Sequence, residues 1–264
     1  MAKQPNTAEV ATLQPKAVST PITGMKAWED SETGFEGTSQ QDFQIPFLVL
    51  LQKLSPMVDE NDSAYVQGAK AGMFYDASVG ELMQEARIVP CFYKRMMVEW
   101  KPREQGGGLV GQHEPGVEES LPRNERGTPI TKEGNLIVDT RYFSCLRLDS
   151  ENQPHQCILA FSSSQIKKAK NWMSRMQSIK AVGEGGRKFT PPMYSHVWKV
   201  SPMAESNDKG NWFGYKIELE GPITAADLFN AAKESRQVFS KTEIKPSALL
   251  TSGEGSEDKE KASM

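Results

Sequence analysis

Basic and aromatic side chains alternate along one strand-like run, residues 136–148. Successive side chains of a β-strand point to opposite faces, and the even positions of this run are mostly apolar, so we predict that they face the core. The odd positions then share the other face: Asp139, Arg141, Phe143, Cys145 and Arg147. Cations that neutralise phosphates, beside rings that stack on bases at ~1–3 kcal/mol each, are the chemistry of single-stranded nucleic-acid binding.

Two further strand-like runs extend this pattern. In residues 212–219 the odd positions suit the interior, which leaves Trp212 and Lys216 outside, and an upstream run offers Tyr93 and Arg95. The predicted nucleic-acid-binding residues are therefore Tyr93, Arg95, Arg141, Phe143, Arg147, Lys199, Trp212 and Lys216. A second interpretation stays open, because aromatic residues in strands commonly pack against cross-strand neighbours and single surface cations are commonly only solvated.

Motifs for catalysis are missing from the sequence. It has no GxxxxGK(S/T) phosphate loop, no GxGxxG at the start of a helix, no HExxH and no GxSxG. His155 and Cys157 alternate in one run, but nothing supplies further metal ligands at a recognisable spacing. The three glycines at 106–108 stand between Pro102 and Pro115, which favours a flexible loop over a phosphate cradle. We predict no enzyme, no metal and no cofactor, although a nuclease whose carboxylates converge only in the fold stays open.

The chain of 264 residues has room for one large domain, or for a medium domain with long appendages. Hydrophobic residues make up 38% of it, which is enough for a core. No window reaches ~18 uninterrupted apolar residues, and residues 1–16 lack the apolar stretch of a secretory signal, so we expect an intracellular protein without a membrane span. Cys91, Cys145 and Cys157 form no CxxC pair, which predicts core positions in a reducing compartment.

Charge is distributed unevenly about a net value of −3. Residues 84–220 carry 20 Lys and Arg against 16 Asp and Glu, whereas residues 1–83 carry 5 against 11 and residues 221–264 carry 6 against 7. The basic centre is compatible with a polyanionic ligand. It is equally compatible with ordinary variation of surface charge over that length.

The order of the predicted elements indicates a β-rich (α+β) protein. One helix, residues 165–180, begins with a capping-box pattern at Ser162 and lies between the third and fourth of five strand-like runs, and a second helix begins near Thr224. The five runs are residues 88–100, 136–148, 155–162, 193–201 and 212–219. This is the layout of an OB-fold, a five-stranded barrel that binds oligonucleotides, here with an added C-terminal helix.

The polar ends of the chain set the predicted domain bounds. Residues 1–41 and 241–264 have almost no periodic apolar pattern, so we predict a disordered N-terminal arm and a disordered polar C-terminal tail. Between them, residues 42–240 form a single predicted OB-like nucleic-acid-binding domain. Residues 101–135 would be a long loop insertion between its first two strands.

Several stretches of the sequence resemble a tailed-phage protein family associated with DNA replication and recombination. They are residues 45–56, 68–72, 80–82 and 98–108. The order of elements over residues 88–219 is similar to that of phage single-stranded DNA-binding proteins. The resemblance implies non-catalytic, largely sequence-independent binding of single-stranded DNA in the host cytoplasm, with phage replication or recombination enzymes as partners. Residues 252–264 hold only 4 acids with 2 lysines and end at Met264, so the recruiting acidic tail of such proteins is not implied.

A rival hypothesis comes from a different class of protein. A phage structural or assembly protein would pack its β-rich body against copies of itself and bind no nucleic acid. It would form homo-oligomers in solution and show no affinity for DNA at moderate salt.

Overall fold

The computed structural model describes Gly34, residues 36–37, 45–208 and 210–245. Most of the predicted arm 1–41 and of the predicted tail 241–264 lies outside the described residues. In chain order the elements are β1 (Leu48–Leu50), β2 (Phe74–Asp76), β3 (Glu81–Met83), β4 (Ala86–Trp100), β5 (Leu109–His113), β6 (Leu136–Leu148), β7 (Pro154–Ser162), α1 (Ile166–Ser178), β8 (Ala181–Val182), β9 (Lys188–Phe189), β10 (His196–Asn207), β11 (Gly210–Pro222) and α2 (Ala226–Phe239).

The main sheet is antiparallel, with strand order β11-β10-β4-β6-β7, and β5 pairs with the far end of β4. All five predicted strand-like runs are strands of this sheet, and both predicted helices are present. The fold is therefore β-rich, as predicted. No backbone ladder joins β7 to β11 among the described residues, so the sheet is open and the closed five-stranded barrel is not observed.

The two edge strands nevertheless approach each other through other groups. The backbone N–H of Tyr215 on β11 donates to the Gln165 side chain just after β7, and the Tyr215 hydroxyl donates to the Ala160 carbonyl of β7. A small sheet, β1-β2-β3, lies beside this gap. Phe47, next to β1, forms a parallel bridge with Ile158 of β7. The small sheet thus contacts β7 from one side of the opening.

The other side of the opening is held by a single amide. The Gln52 side chain donates to the Phe213 carbonyl at 2.9 Å and accepts from the Phe213 N–H at 2.8 Å, as a neighbouring strand would. Residue Gly72 allows this approach, because a Cβ there would lie 2.8 Å from the Phe213 ring. β1 and the residues after it therefore bridge β7 and β11 without completing a ladder.

Both faces of the main sheet are covered. On one face α1 packs Trp172 against Phe143 and Trp198. On the other face residues around β1 pack on Tyr142 and Val98, and α2 covers a third cluster. The strand β6 lies between β4 and β7 in the sheet and is buried on both sides from Tyr142 to Leu148. An alternating pattern cannot identify the core side of such a strand.

Two groups of polar or ionisable side chains lie inside this framework. Cys91, Cys145 and Cys157 are free and buried, as predicted, and burial raises the pKa of each thiol. At the base of the predicted insertion 101–135, the buried Glu99 carboxylate accepts from Asn135 and contacts the His113 ring at 2.7 Å.

No helix within 45–208 and 210–245 has both the length and the apolar character needed to cross a membrane.

Candidate nucleic-acid interface

Phe143 does not lie on an accessible face. Its exposed fraction is 0%, and its ring packs 4.5 Å from Trp172, 5.1 Å from Tyr93 and 5.4 Å from Phe161. The predicted face of residues 136–148 is therefore wrong at this position, because the odd side of the strand is the side that α1 covers. An enclosed ring cannot stack on a base.

Arg147 is also buried, with 6% of its side chain exposed. Its guanidinium lies 3.2 Å from the Asp76 carboxylate and 3.1 Å from that of Glu81. These contacts join β2 and β3 to the end of β6. The prediction that Arg147 binds phosphate is corrected accordingly. Its guanidinium is buried and forms ion pairs with two carboxylates of the small sheet, so it is not available to a ligand.

Tyr93, Arg95 and Arg141 do lie together, but both arginines form ion pairs with carboxylates. Arg95 and Arg141 are directly opposite each other on β4 and β6, where two like charges repel. Asp139 relieves this repulsion by accepting from both, at 3.1 and 3.2 Å, and Glu118 accepts from Arg95 at 2.9 Å. Arg141 also donates to the Tyr93 hydroxyl. This group is locally neutral and mostly satisfied by its own partners.

The remaining predicted residues lie on the β10–β11 pair. Lys199 is 3.1 Å from Glu85, and Lys216 is 2.9 Å from Glu218. The indole N–H of Trp212 donates to Glu205 at 2.7 Å. Each of the five predicted cations thus has a carboxylate partner, and the eight predicted residues fall in separate places rather than on one surface.

A different stretch of the described chain concentrates unpaired positive charge. Residues 163–192, which we name the α1–hairpin segment, hold 7 Lys and Arg and one acid, Glu184. The rest of 45–245 holds 19 Lys and Arg against 23 Asp and Glu. Among the described residues, Lys168 is the one cation of the α1–hairpin segment that forms an ion pair. The six cations without an ion pair are Lys167, Lys170, Arg175, Lys180, Arg187 and Lys188.

The helix α1 presents its lysines because of its amphipathic pattern. Ala169, Trp172 and Met176 follow helical spacing and are buried in the core, so Lys167 and Lys170 project from the other side. At its 13 residues and 1.5 Å per residue the helix is about 20 Å long.

Lys168, which lies between Lys167 and Lys170 in the sequence, holds the start of α1 in place. Lys168 forms an ion pair with Glu205, which also accepts from Trp212 and Gln165. Burial acts to raise the pKa of Glu205, but these three hydrogen bonds outweigh it, and the pKa is lowered. Glu205 is therefore held as a carboxylate, and its contacts with Lys168 and Gln165 hold the start of α1 against β10.

A small hairpin continues the surface beyond α1. Val182 pairs with Lys188 and Ala181 with Phe189, and the turn passes through Gly185 and Gly186 at φ of 70° and 76°. Phe189 is 45% exposed and Val182 66%. Phe189, Arg187 and Lys188 were missed in the sequence because a pair of two-residue strands has no readable periodicity. A count of charge over thirty-residue windows would have found Arg187 and Lys188.

The protein is thus of the β-rich α+β class, with an open antiparallel sheet and a basic helix on its surface. Comparison with protein families identifies its family. The model of the Pam3 phage gp34-like protein family matches residues 16–245, and the chain belongs to that family. The phage resemblance seen in the sequence is thereby confirmed at the level of a phage protein family. No curated protein and no solved structure matches the chain.

Proposed function

We propose that the protein binds single-stranded DNA without catalysis and with little sequence preference, in phage DNA replication or recombination. The observation that carries the proposal is the α1–hairpin segment, where seven cations face one acid and six of them have no ion pair among the described residues. Phosphates bind where cations are not already neutralised. The protein would act in the host cytoplasm, with phage replication or recombination enzymes as further partners.

The arrangement of strands supports the proposal indirectly. A ladder between β7 and β11 would convert the observed order into a closed five-stranded barrel with α1 between its third and fourth strands, the layout of an OB-fold. OB-folds bind oligonucleotides on the face of their second and third strands, which correspond to β6 and β7 here. That face carries Phe47, Val49 and Leu51 in this chain. We therefore assign DNA binding to α1 and the hairpin instead.

Binding through phosphates predicts a steep dependence on salt. Six cations of the segment are exposed, but Arg175 and Lys180 donate hydrogen bonds to the protein itself. The other four, Lys167, Lys170, Arg187 and Lys188, give an expected slope of about −3 in a plot of log affinity against log salt concentration for a single strand. Raising the salt from ~50 to ~200 mM should then weaken binding about 50-fold.

The test is a titration with a labelled oligo-dT of ~30 nucleotides at several salt concentrations. The double variant Lys167→Glu/Lys170→Glu should bind at least ~10-fold more weakly and with a flatter salt slope, because two phosphate contacts become repulsive. The matched control is Lys233→Glu/Lys241→Glu, two exposed lysines on and after α2 that make no ion pair among the described residues. Equal effects of the two pairs, or no binding by the wild type at low salt, would refute the proposal.

A second candidate function rests on a separate observation. The outer edge of β5 is unpaired among the described residues and carries the exposed Leu109 and Val110. An unpaired apolar edge favours association with another strand, as in a phage assembly protein built from copies of itself. If so, light scattering should show a defined homo-oligomer that Val110→Lys dissociates. A monomer at micromolar concentration excludes this function.

The nuclease alternative is tested on the same samples. Incubation of the oligonucleotide with the protein and Mg²⁺, followed by a denaturing gel, should leave the strand intact under our proposal. Degradation that disappears when the cation is chelated would instead assign a metal-dependent activity.

A further inference from the structure

The β8–β9 hairpin carries an aromatic ring in an unusual setting. Phe189 is nearly half exposed although it lies in a paired strand, where it is opposite Ala181. Val182 is also exposed, but it is paired with Lys188 and so lies on the other face of the hairpin. The face of Phe189 therefore presents an aromatic ring with Arg187, two residues before it, on the same side. The hairpin belongs to the most basic stretch of the described chain, so a partner of opposite charge is the one that it fits.

The ring is supported from one side. A Cβ at Gly183, just after β8, would lie 3.4 and 3.6 Å from two atoms of the Phe189 ring, which is ordinary van der Waals contact. The ring therefore lies beside the chain at Gly183. The ring is thus held in place by the chain on this side while its remaining surface is open to solvent.

The base of the hairpin is fixed to α1. Lys180 lies two residues after the end of α1 and donates from its Nζ to the Thr190 hydroxyl at 2.6 Å and to the Gln177 carbonyl at 3.4 Å. These contacts join both strands of the hairpin to the end of the helix. The hairpin is therefore held at the end of the helix that carries the exposed Lys167 and Lys170.

From these contacts we infer that Phe189 stacks on an unpaired nucleobase while Arg187 and Lys188 bind the flanking phosphates, so that this hairpin selects single strands over duplex. The inference rests on the proposed function and deepens it by naming the group that recognises the base. Every base has a flat face, so stacking on Phe189 tolerates any sequence. In a duplex those faces are covered by neighbouring base pairs, and only the phosphates are left for the hairpin to bind.

The experiment compares three probes of similar length: oligo-dT, an abasic strand with the same phosphates, and duplex DNA. Phe189→Ala should weaken oligo-dT binding about 10-fold, within the range expected for one stacked base, and leave the affinities for the abasic strand and the duplex unchanged. The salt slope should not change, because no cation is removed. Phe189→Tyr should restore wild-type affinity.

Controls separate this inference from loss of fold and from failure of the proposed function. Leu219→Ala removes another exposed apolar side chain, on β11, and should leave every affinity unchanged. Both substitutions are at exposed positions and should keep the wild-type melting temperature. If Lys167→Glu/Lys170→Glu weakens binding but Phe189→Ala does not, or if Phe189→Ala weakens all three probes equally, the stacking site is refuted while DNA binding stands. If the wild type binds no probe, the proposed function itself fails.

Discussion

At the scale of single residues, Gly214 shows how tightly the polar cluster at the start of α1 is packed. It is buried on β11, and a Cβ at this position would lie 2.5 Å from Lys168 Nζ, 2.7 Å from Glu205 Oε2 and 2.8 Å from Gln165 Nε2. All three atoms belong to the network that fixes the start of α1 against the edge of the sheet. The absence of a side chain at Gly214 is therefore a requirement of this network.

We predict that Gly214→Ala destabilises the fold by about 1–3 kcal/mol, because the added methyl group must displace an ion pair and an amide. Chemical denaturation measures the change. The matched control is Gly221→Ala on the same strand, where a Cβ meets nothing within 4 Å. A loss of stability at both positions would point to backbone propensity instead of crowding.

The residue scale also shows where sequence reasoning about the site succeeds. In β11 the alternation was correct for Tyr215 and Ile217, which are buried, and for Lys216, which is exposed, but wrong for Leu219, which is 43% exposed. β11 is an edge strand with one face in solvent, so the positions of its polar residues indicate which face that is. In β6 the same reasoning placed Phe143 and Arg147 outside, since a strand covered on both sides carries no signal for which side holds the ligand.

At the scale of elements, the long strands and helices were predictable and the short ones were not. Each of the five runs had enough β-branched and aromatic residues to identify a strand, and Ala169, Trp172 and Met176 kept helical spacing. The pairs β8–β9 and β2–β3 are two or three residues long, so their pairing depends on turns and tertiary contacts. The opening of the sheet was unpredictable because side chains, not a ladder, bridge β7 and β11.

Gln52 provides the test at this scale. Replacing it by Leu removes both hydrogen bonds to the Phe213 backbone and leaves a partly buried N–H and carbonyl without that partner, so we predict a loss of about 1–3 kcal/mol. Hydrogen exchange should show faster exchange of the Phe213 amide, with β4 and β6 unaffected.

The neighbouring exposed residue supplies the comparison. Lys53→Leu should change neither the stability nor the Phe213 exchange rate. Unchanged protection of Phe213 in Gln52→Leu would mean that β11 is held in place without the amide.

At the scale of the whole molecule, the two ends of the long described region meet. Ile45 and Ile244 pack on the same cluster beside Tyr142, and the Gln112 side chain donates to the Ile244 carbonyl at 2.7 Å. The last residues of the described chain are therefore part of the fold, beyond the bound of 240 that the sequence suggested.

Two fragments test this closure. A fragment of residues 45–245 keeps every residue of the three core clusters and serves as the reference. A fragment of residues 45–242 lacks the buried Ile244 and should lose about 2–5 kcal/mol. Equal stability of the two fragments would show that Ile244 contributes little to the core.

The concentration of charge in the α1–hairpin segment gives the molecule an electric dipole that its net charge conceals. Seven of the 26 cations within residues 45–245 lie in those 30 residues, beside one acid, while acids outnumber cations in the remainder. A dipole of this kind turns the basic side of the protein toward a polyanion before contact, which raises the rate of productive encounters. It also means that a protein with an isoelectric point near 5.8 should be retained at neutral pH by both cation- and anion-exchange resins. Each resin would select the opposite pole of the same molecule.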